Sequence, residues 1–150
     1  MIEQRRLEDY MRIIYLQKKE NGCVKSATIS RIMHVSRPTV SVALKRMAAD
    51  GYLVFDEDSF LHLTAKGETL AKRMVMYHDT IRALFERLGV SSEDAEMEAH
   101  QLEHAITPLG FDALERLYKA ILDSGLSFEP AESEHFEAIS GQVDDSQDCY

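Results

Sequence analysis

The stretch after Ser92 contains Glu96, His100, Glu103 and His104, four side chains able to bind a divalent cation together. Offsets of 4, 7 and 8 residues put all four on one face of a helix. Imidazole and carboxylate donors without a thiolate suit Mn2+, Fe2+ or Zn2+. A solvated, charged helix face with two incidental histidines would have the same spelling. The residues also read His100-Gln101-Leu102-Glu103-His104, the H-x-x-E-H string of a zinc peptidase family, where two histidines hold the metal and the glutamate acts as general base. That chemistry needs a further acidic ligand, an open coordination position and a substrate-enclosing fold. Only 46 residues follow His104, so no enzyme is expected. Cys23 and Cys149 have no spacing that suggests a disulfide framework or a thiolate zinc site, and they read as free thiols.

A second set of residues points to nucleic acid. Within Ala27–Met47, Val40, Leu44 and Met47 share one helical face, which must pack inward. The opposite face holds Pro38, Ser41, Val42 and Lys45, with Arg37 and Thr39 in the first turn, where a recognition helix meets base edges. Arginine can read guanine with two hydrogen bonds, and Ser36, Thr39 and Ser41 can reach bases or phosphates. Lys25, Lys45, Arg46 and Lys66 are candidates for phosphate contacts, which position a protein on DNA without specifying sequence. An amphipathic helical hairpin with a solvated face is the plainer alternative.

The net charge of −9 opposes binding to DNA, but it is unevenly spread. Residues 1–75 hold 13 Lys and Arg against 9 Asp and Glu; residues 76–150 hold 4 against 17. The first half can face phosphates, and the second would repel them unless cations neutralise it. With 45% hydrophobic residues a core can be buried, and no apolar run approaches the ~20 residues of a membrane span. The charged start, Met1 to Arg6, lacks the apolar stretch of a signal peptide, so a cytoplasmic protein is expected.

The elements that must position these residues are mostly helical. Leu7, Met11, Ile14 and Leu16 give a stripe over residues 5–20. Ser26 is expected to cap a short helix, Ala27 to Met33, that turns Ile29, Ile32 and Met33 inward. After the turn His34-Val35-Ser36, Ser36 caps a helix running to about Asp50, with Pro38 tolerated in its first turn and Gly51 ending it. Residues 52–55 and 60–63 read as a hairpin around the acidic turn 56–59. That acidity is expected to keep the wing tip off the phosphate backbone. Thr64 caps a long helix from Ala65 to Leu88, in which Gly67 is a small cost. Ser91 or Ser92 opens a helix to about Ile106, and Phe111 to Leu122 forms the last one. From Phe128 onward there are seven acids and no Lys or Arg, and a weakly ordered tail with a short helix at Ser133–Ile139 is expected. The fold class is therefore mainly α, a winged helix-turn-helix domain followed by an α-helical domain.

The chain resembles the diphtheria toxin repressor family, and within it the shorter manganese transport regulator branch. The resemblance covers about residues 5–123. It rests on Leu7 to Tyr15, Val35-Ser-Arg-Pro-Thr-Val-Ser41, Leu63-Thr-Ala-Lys-Gly67, Tyr77-His78 and Leu102-Glu-His104. It implies a metal site at Asp9, His78, His100, Glu103 and His104. His100 stands where the family usually has Glu or Cys. Arg12 stands where the manganese branch has a second carboxylate and the iron branch has Arg. Glu96 falls at an ancillary-site histidine of the iron branch, while Arg82 replaces that site's Glu.

The organisation implied is a DNA-binding domain at 1–74, a metal-binding and dimerisation domain at 75–126 and an acidic tail at 127–150, with no room for the third, SH3-like domain of longer members. Dimerisation is expected through Leu102, Ile106, Leu109, Leu114 and Leu117. The function implied is a homodimeric repressor of metal-uptake genes that binds a palindromic operator when loaded with Mn2+ or Fe2+, with Zn2+ a competitor. A winged-helix regulator sensing a small molecule or redox state, with Cys23 as the sensor, is the alternative.

Overall fold

The fold was analysed in a computed structural model, which describes residues 2–130. The tail beyond Pro130, including Cys149 and the expected helix at Ser133–Ile139, lies outside the described residues. Among the described residues six helices and one hairpin follow in order: α1 Ile2–Asn21, α2 Ser26–Met33, α3 Arg37–Ala49, β1 Leu53–Phe55, β2 Leu61–Leu63, α4 Ala65–Arg87, α5 Ser92–Leu102 and α6 Pro108–Ser124.

The first core collects Tyr10, Met11 and Ile14 of α1, Ile29 of α2, Val40, Leu44 and Met47 of α3, Leu53 and Leu61 of the hairpin, and Ala71 of α4. The inward triplet of α3 is the one its spacing requires. In α2 only Ile29 is fully buried: Met33 is half-buried, and Ile32, expected inside, is 38% exposed. An eight-residue helix has a stripe about one residue wide per turn, so a third apolar position faces out. Ser26 does not cap α2 either; Lys25 holds the cap position in extended geometry, with no side-chain hydrogen bond.

Lys25 is held there by pairing the sequence did not signal. It bridges Phe60, and the Leu61 N–H donates to the Val24 carbonyl at 2.8 Å, so the chain entering α2 adds a short third rung to the wing. In the hairpin itself Leu53 opposes Leu63, Val54 opposes His62 and Phe55 opposes Leu61.

Ser36 caps α3 by accepting from the Thr39 N–H, and His34 before it supplies a left-handed turn at φ 53°. Thr64 caps α4 by accepting from the Gly67 N–H. Gly67 does more than tolerate its place: a Cβ there would collide with the Tyr52 carbonyl oxygen. The bare glycine lets α4 leave the wing close against the end of α3.

A second core forms around the C-terminal half of α4, where Tyr77, Ile81, Ala99 and Phe111 cluster and Tyr77 stacks on Phe111 at 4.0 Å between ring centres. Leu102, Ile106 and Leu114 pack against this core, whereas Leu109 and Leu117 are exposed. Two helix ends differ from expectation. α5 stops at Leu102, not near Ile106, because the Ala105 and Ile106 N–H groups both bond the Leu102 carbonyl and the chain turns. α6 begins at Pro108 rather than Phe111, since Thr107 caps it and proline suits the first turn. The single helix α4 thus runs from one core to the other, and α1 and α5 both pack on it.

Two predictions arise here. Gly67→Ala is expected to destabilise the protein by roughly 1–3 kcal/mol in urea denaturation, the usual cost of overpacking; an unchanged midpoint would show that the close approach is not needed. The wing acid Asp56 is held below its ordinary 3.8, first by the His62 hydrogen bond at 2.7 Å and then by the Phe60 N–H. A carboxyl depressed in the folded state stabilises above its unfolded value and loses that contribution as pH falls through the lowered one. Carbon-13 NMR should place the Asp56 titration below 3.8, and His62→Ala should raise it.

Candidate functional site

The junction of α1, α4 and α5 is lined by polar side chains. Asp9 comes from the second turn of α1; His100 lies in the last turn of α5, and Glu103 and His104 just beyond it. Each of these four offers a donor atom, and the four atoms lie within 4.8 Å of one another. Glu103 retains right-handed helical geometry at φ −55°, so its side chain stays on the face of His100 although the helix proper has ended.

Glu103 is the hub. Its side chain is wholly buried. Oε2 accepts from His78 Nδ1 of α4 at 2.8 Å; Oε1 accepts from Arg12 of α1 at 3.1 Å and lies 3.2 Å from His100 Nδ1. Burial alone would raise its carboxyl, but the His100 and His78 hydrogen bonds and the Arg12 charge outweigh that and hold it at about 2. His78 answers in the opposite direction. Its burial favours the neutral ring, but the bonds to Glu103 and Glu96 raise its value. His100 is raised chiefly by its bond to Glu103.

His78 and Glu96 stand beside the four-donor group rather than in it. His78 Nδ1 meets Glu103 and Nε2 meets Glu96 at 3.0 Å. Glu96 in turn pairs with Arg82 at 3.3 Å. The six residues expected from sequence therefore gather at one junction, but as two groups sharing Glu103.

Sequence reasoning missed Glu8. It is buried, and its Oε2 lies 2.7 Å from His104 Nδ1, which leaves His104 Nε2 facing Asp9 at 3.0 Å. A carboxylate behind an imidazole fixes which nitrogen faces the site. The available signal was its position: one residue before Asp9 on α1, a charged group beside the inward Tyr10 and Met11.

The second candidate surface is α3. Ser36, Arg37, Pro38, Thr39, Lys45 and Arg46 are exposed, Ser41 is half-exposed, and Val42 is 70% exposed among them. Ser36 and Thr39 hydroxyls bond each other at 2.8 Å. Lys25 and Lys66 are more committed. The Lys25 ammonium lies 4.3 Å from the centre of the Phe60 ring. Lys66 donates to the Asp50 carbonyl at 2.9 Å and lies over Tyr52. The acidity of the wing turn also has a structural cause, since Asp56 Oδ1 accepts from the Asp58 and Phe60 N–H groups while Ser59 takes a left-handed φ of 64°.

Comparison with known proteins places this architecture. The family model described as the iron dependent repressor N-terminal DNA binding domain matches residues 4–61, and the iron dependent repressor metal binding and dimerisation domain matches residues 64–123. The chain belongs to the iron dependent repressor family, the diphtheria toxin repressor family of the sequence expectation.

Among its relatives are the HTH-type transcriptional regulator MntR of Lysinibacillus sphaericus, 28% identical over 77% of this chain and 83% of that protein, and an uncharacterized HTH-type transcriptional regulator of Methanocaldococcus jannaschii, 34% identical over 74% of this chain and 88% of that one. Among solved structures, the manganese regulator SloR is similar with a TM-score of 0.67 and 27% identity, across 75% of this chain and 53% of that chain. The chain spans about half the length of that structure and of the metal-dependent transcriptional regulator MtsR.

The family consists of transcriptional regulators rather than enzymes. Geometry gives the H-x-x-E-H string a different use as well, because Glu103 is bound by Arg12 and His78 and is not poised as a free base. Among the described residues no helix is long and apolar enough to cross a membrane.

The Glu8–His104 bond can be tested in metal-free protein. A double-mutant cycle of Glu8→Ala and His104→Ala, read by chemical denaturation, should return a coupling of roughly 1–3 kcal/mol, the range for stranding a buried polar group. Independent, additive effects would mean the pair is not formed.

Proposed function

We propose that the protein is a cytoplasmic, homodimeric repressor that binds a palindromic operator when Asp9, His100, Glu103 and His104 hold a divalent transition metal, and that its targets are metal-uptake genes. One observation carries this reading: donors from α1, in the half that carries the helix-turn-helix, and from the end of α5, in the other half, converge within 4.8 Å. Two imidazoles and two carboxylates without thiolate fit Mn2+ or Fe2+, with Zn2+ competing by its higher intrinsic affinity. The manganese regulator among the solved structures supports Mn2+, and the iron dependent repressor family models support Fe2+. The division of labour follows the elements, with residues 1–74 binding DNA, 75–126 holding metal and partner, and 127–150 an acidic tail.

The bound ion supplies a double positive charge shared by acids from both halves. The chain's own residues do the rest. Glu8 orients His104, and His78 with Glu96 braces the far oxygen of Glu103, so α5 presents a fixed set of donors to α1. Tying α1 to α5 sets the angle of the helix-turn-helix on α4. In a dimer that angle governs the spacing of two α3 helices, which must be ~34 Å or a multiple to enter successive major grooves.

Arg37 and Thr39 read bases, while Lys45 and Arg46, assisted by Lys25 and Lys66, contact phosphates. Ser36, Pro38 and Ser41 shape the approach of the helix. The acidic wing turn stays off the backbone. The exposed Leu109 and Leu117 of α6 serve the dimer contact, with the partly buried Leu102, Ile106 and Leu114 as its support. Operator and metal tighten each other by the same factor, typically ~1–3 kcal/mol in coupled systems.

The decisive measurement is operator binding by protein dialysed against chelator and titrated separately with Mn2+, Fe2+ and Zn2+. Affinity should rise several-fold to about a hundredfold with the active metal. His104→Ala should abolish the increase while leaving weak metal-free binding, and Lys45→Ala should lower the salt slope by about one. Metal-indifferent DNA binding, or an intact response in His104→Ala, would overturn the proposal.

A further inference from the structure

An apolar recess of about 450 Å3 opens between α1 and α3. Leu7 and Tyr10 of α1 form one wall, Met33 at the end of α2 closes it, and Val42, Ala43 and Met47 of α3 form the other. The helical spacing of α1 puts Leu7 and Tyr10 opposite Asp9 and Arg12, so the recess and the metal junction use different faces of one helix. Arg6 and Arg46, both exposed, belong to its lining, one from each wall, and Asp50 is the one acid among the described lining residues. Val42, 70% exposed, carries the apolar surface onto the outer face of α3.

We infer that this recess receives the acidic tail of the chain itself, anchored by Phe136 and Ile139, and that the docked tail competes with DNA for α3. The docking stands on the recess and the tail; the competition rests on the DNA-binding reading above. Chemical complementarity supports the match. The twenty residues after Pro130 hold six Asp and Glu and no Lys or Arg. Phe136 and Ile139 stand three residues apart among Glu132, Glu134 and Glu137, close enough to enter one recess together. The apolar pair suits the walls, and the acids suit Arg6 and Arg46, with Arg37 and Lys45 exposed further along α3.

Reach supports it too. A Cβ on Gly89 would collide with the Glu129 carbonyl, so the tail departs from the turn between α4 and α5. From there α5 runs about 15 Å to Gln101. The Gln101 carbonyl accepts from Arg5 at 3.1 Å, and Arg6, at the recess, is the next residue. One helix width, about 10 Å, leads round α1. The stretch from Glu129 to Phe136 extends to about 25 Å, which brings Phe136 to the α1 wall and Ile139 beyond it. A segment tethered this closely meets its recess at an effective concentration on the order of millimolar, so a weak contact suffices. Thr39 and Arg46 line the recess and also belong to the surface assigned to DNA, so one face of α3 cannot serve tail and operator at once.

The test reads the docking without DNA. In metal-free, full-length protein with Cys23→Ser and Cys149→Ser, a nitroxide attached at Ser140→Cys is detected by its broadening of methionine methyl signals in carbon-13 NMR. Met33 and Met47, which line the recess, should broaden strongly, and the exposed Met76 of α4 and Met97 of α5 much less. Phe136→Ser combined with Ile139→Ser leaves the charge of the tail unchanged and should abolish that difference. Without the label, the same pair of substitutions in metal-loaded protein should tighten operator binding several-fold.

Broadening of Met76 and Met97 that spares Met33 and Met47 would overturn the inference. So would recess broadening that persists in the double variant, or an operator affinity that the double variant leaves unchanged. Protein that binds no operator with any metal would overturn the DNA-binding reading and the competition with it, while the docking, read by NMR, would stand.

Discussion

A carboxylate shut away from water must find compensating charge or become protonated, and Glu103 lies under that constraint with its side chain wholly buried. It meets the constraint by drawing one partner from each neighbouring element: His78 from α4, Arg12 from α1 and His100 from its own α5. Removing any one leaves an ion in low dielectric with too few hydrogen bonds, which typically costs more than the intact set contributes. The three-helix junction is therefore specified by electrostatics at a place where the apolar cores are absent.

That placement has a mechanical consequence. The core below the junction is built on α1, α2, α3 and the wing, and the core above it on Tyr77, Ile81, Ala99 and Phe111. α4 is continuous through both, but α1 and α5 meet through polar groups: Arg5 to the Gln101 carbonyl, Glu8 and Asp9 to His104, and Arg12 to Glu103. Close-packed apolar contacts resist sliding, because small displacements forfeit many dispersion contacts at once. Hydrogen bonds between long side chains accommodate it by rotamer change. The joint between the DNA-binding half and the helical half is adjustable for that reason, and a ligand bridging the joint can set its angle without repacking either core.

Much of this was legible in the sequence because periodicity and capping are local. The inward face of α3, the Ser36 and Thr64 caps, the hairpin around residues 56–59 and the gathering of Asp9, His78, Glu96, His100, Glu103 and His104 all followed from spacing or from family resemblance. What escaped was non-local. No pattern within α2 announces that the strand-like rung at Lys25 will take over its cap position, nor that Ile32 will face solvent. Nothing in the stretch around Glu8 points to the partner that buries it, His104, which lies 96 residues away. Gly67 read as a helix defect because the Tyr52 carbonyl that requires it belongs to another element. The early end of α5 shows the converse: the His100–His104 geometry survived a wrong helix boundary, because one further right-handed residue is enough to keep Glu103 on the same face.

The same distinction between local and summed properties resolves the charge of a DNA-binding protein carrying a net −9. Fields from exposed charges decay within a Debye length of about 8 Å at physiological salt, so a phosphate at α3 senses its near neighbours and little of the distant half. Those neighbours are Arg37, Lys45 and Arg46, and no acid occurs within α3. Three acids of the first half are turned to internal work. Glu8 and Asp9 face His104, and Asp56 is spent on two turn amides and His62. An acid already holding backbone donors and an imidazole presents less negative potential outward than its formal charge implies. The negative sum belongs largely to residues after 75, and α3 keeps a positive local field despite it.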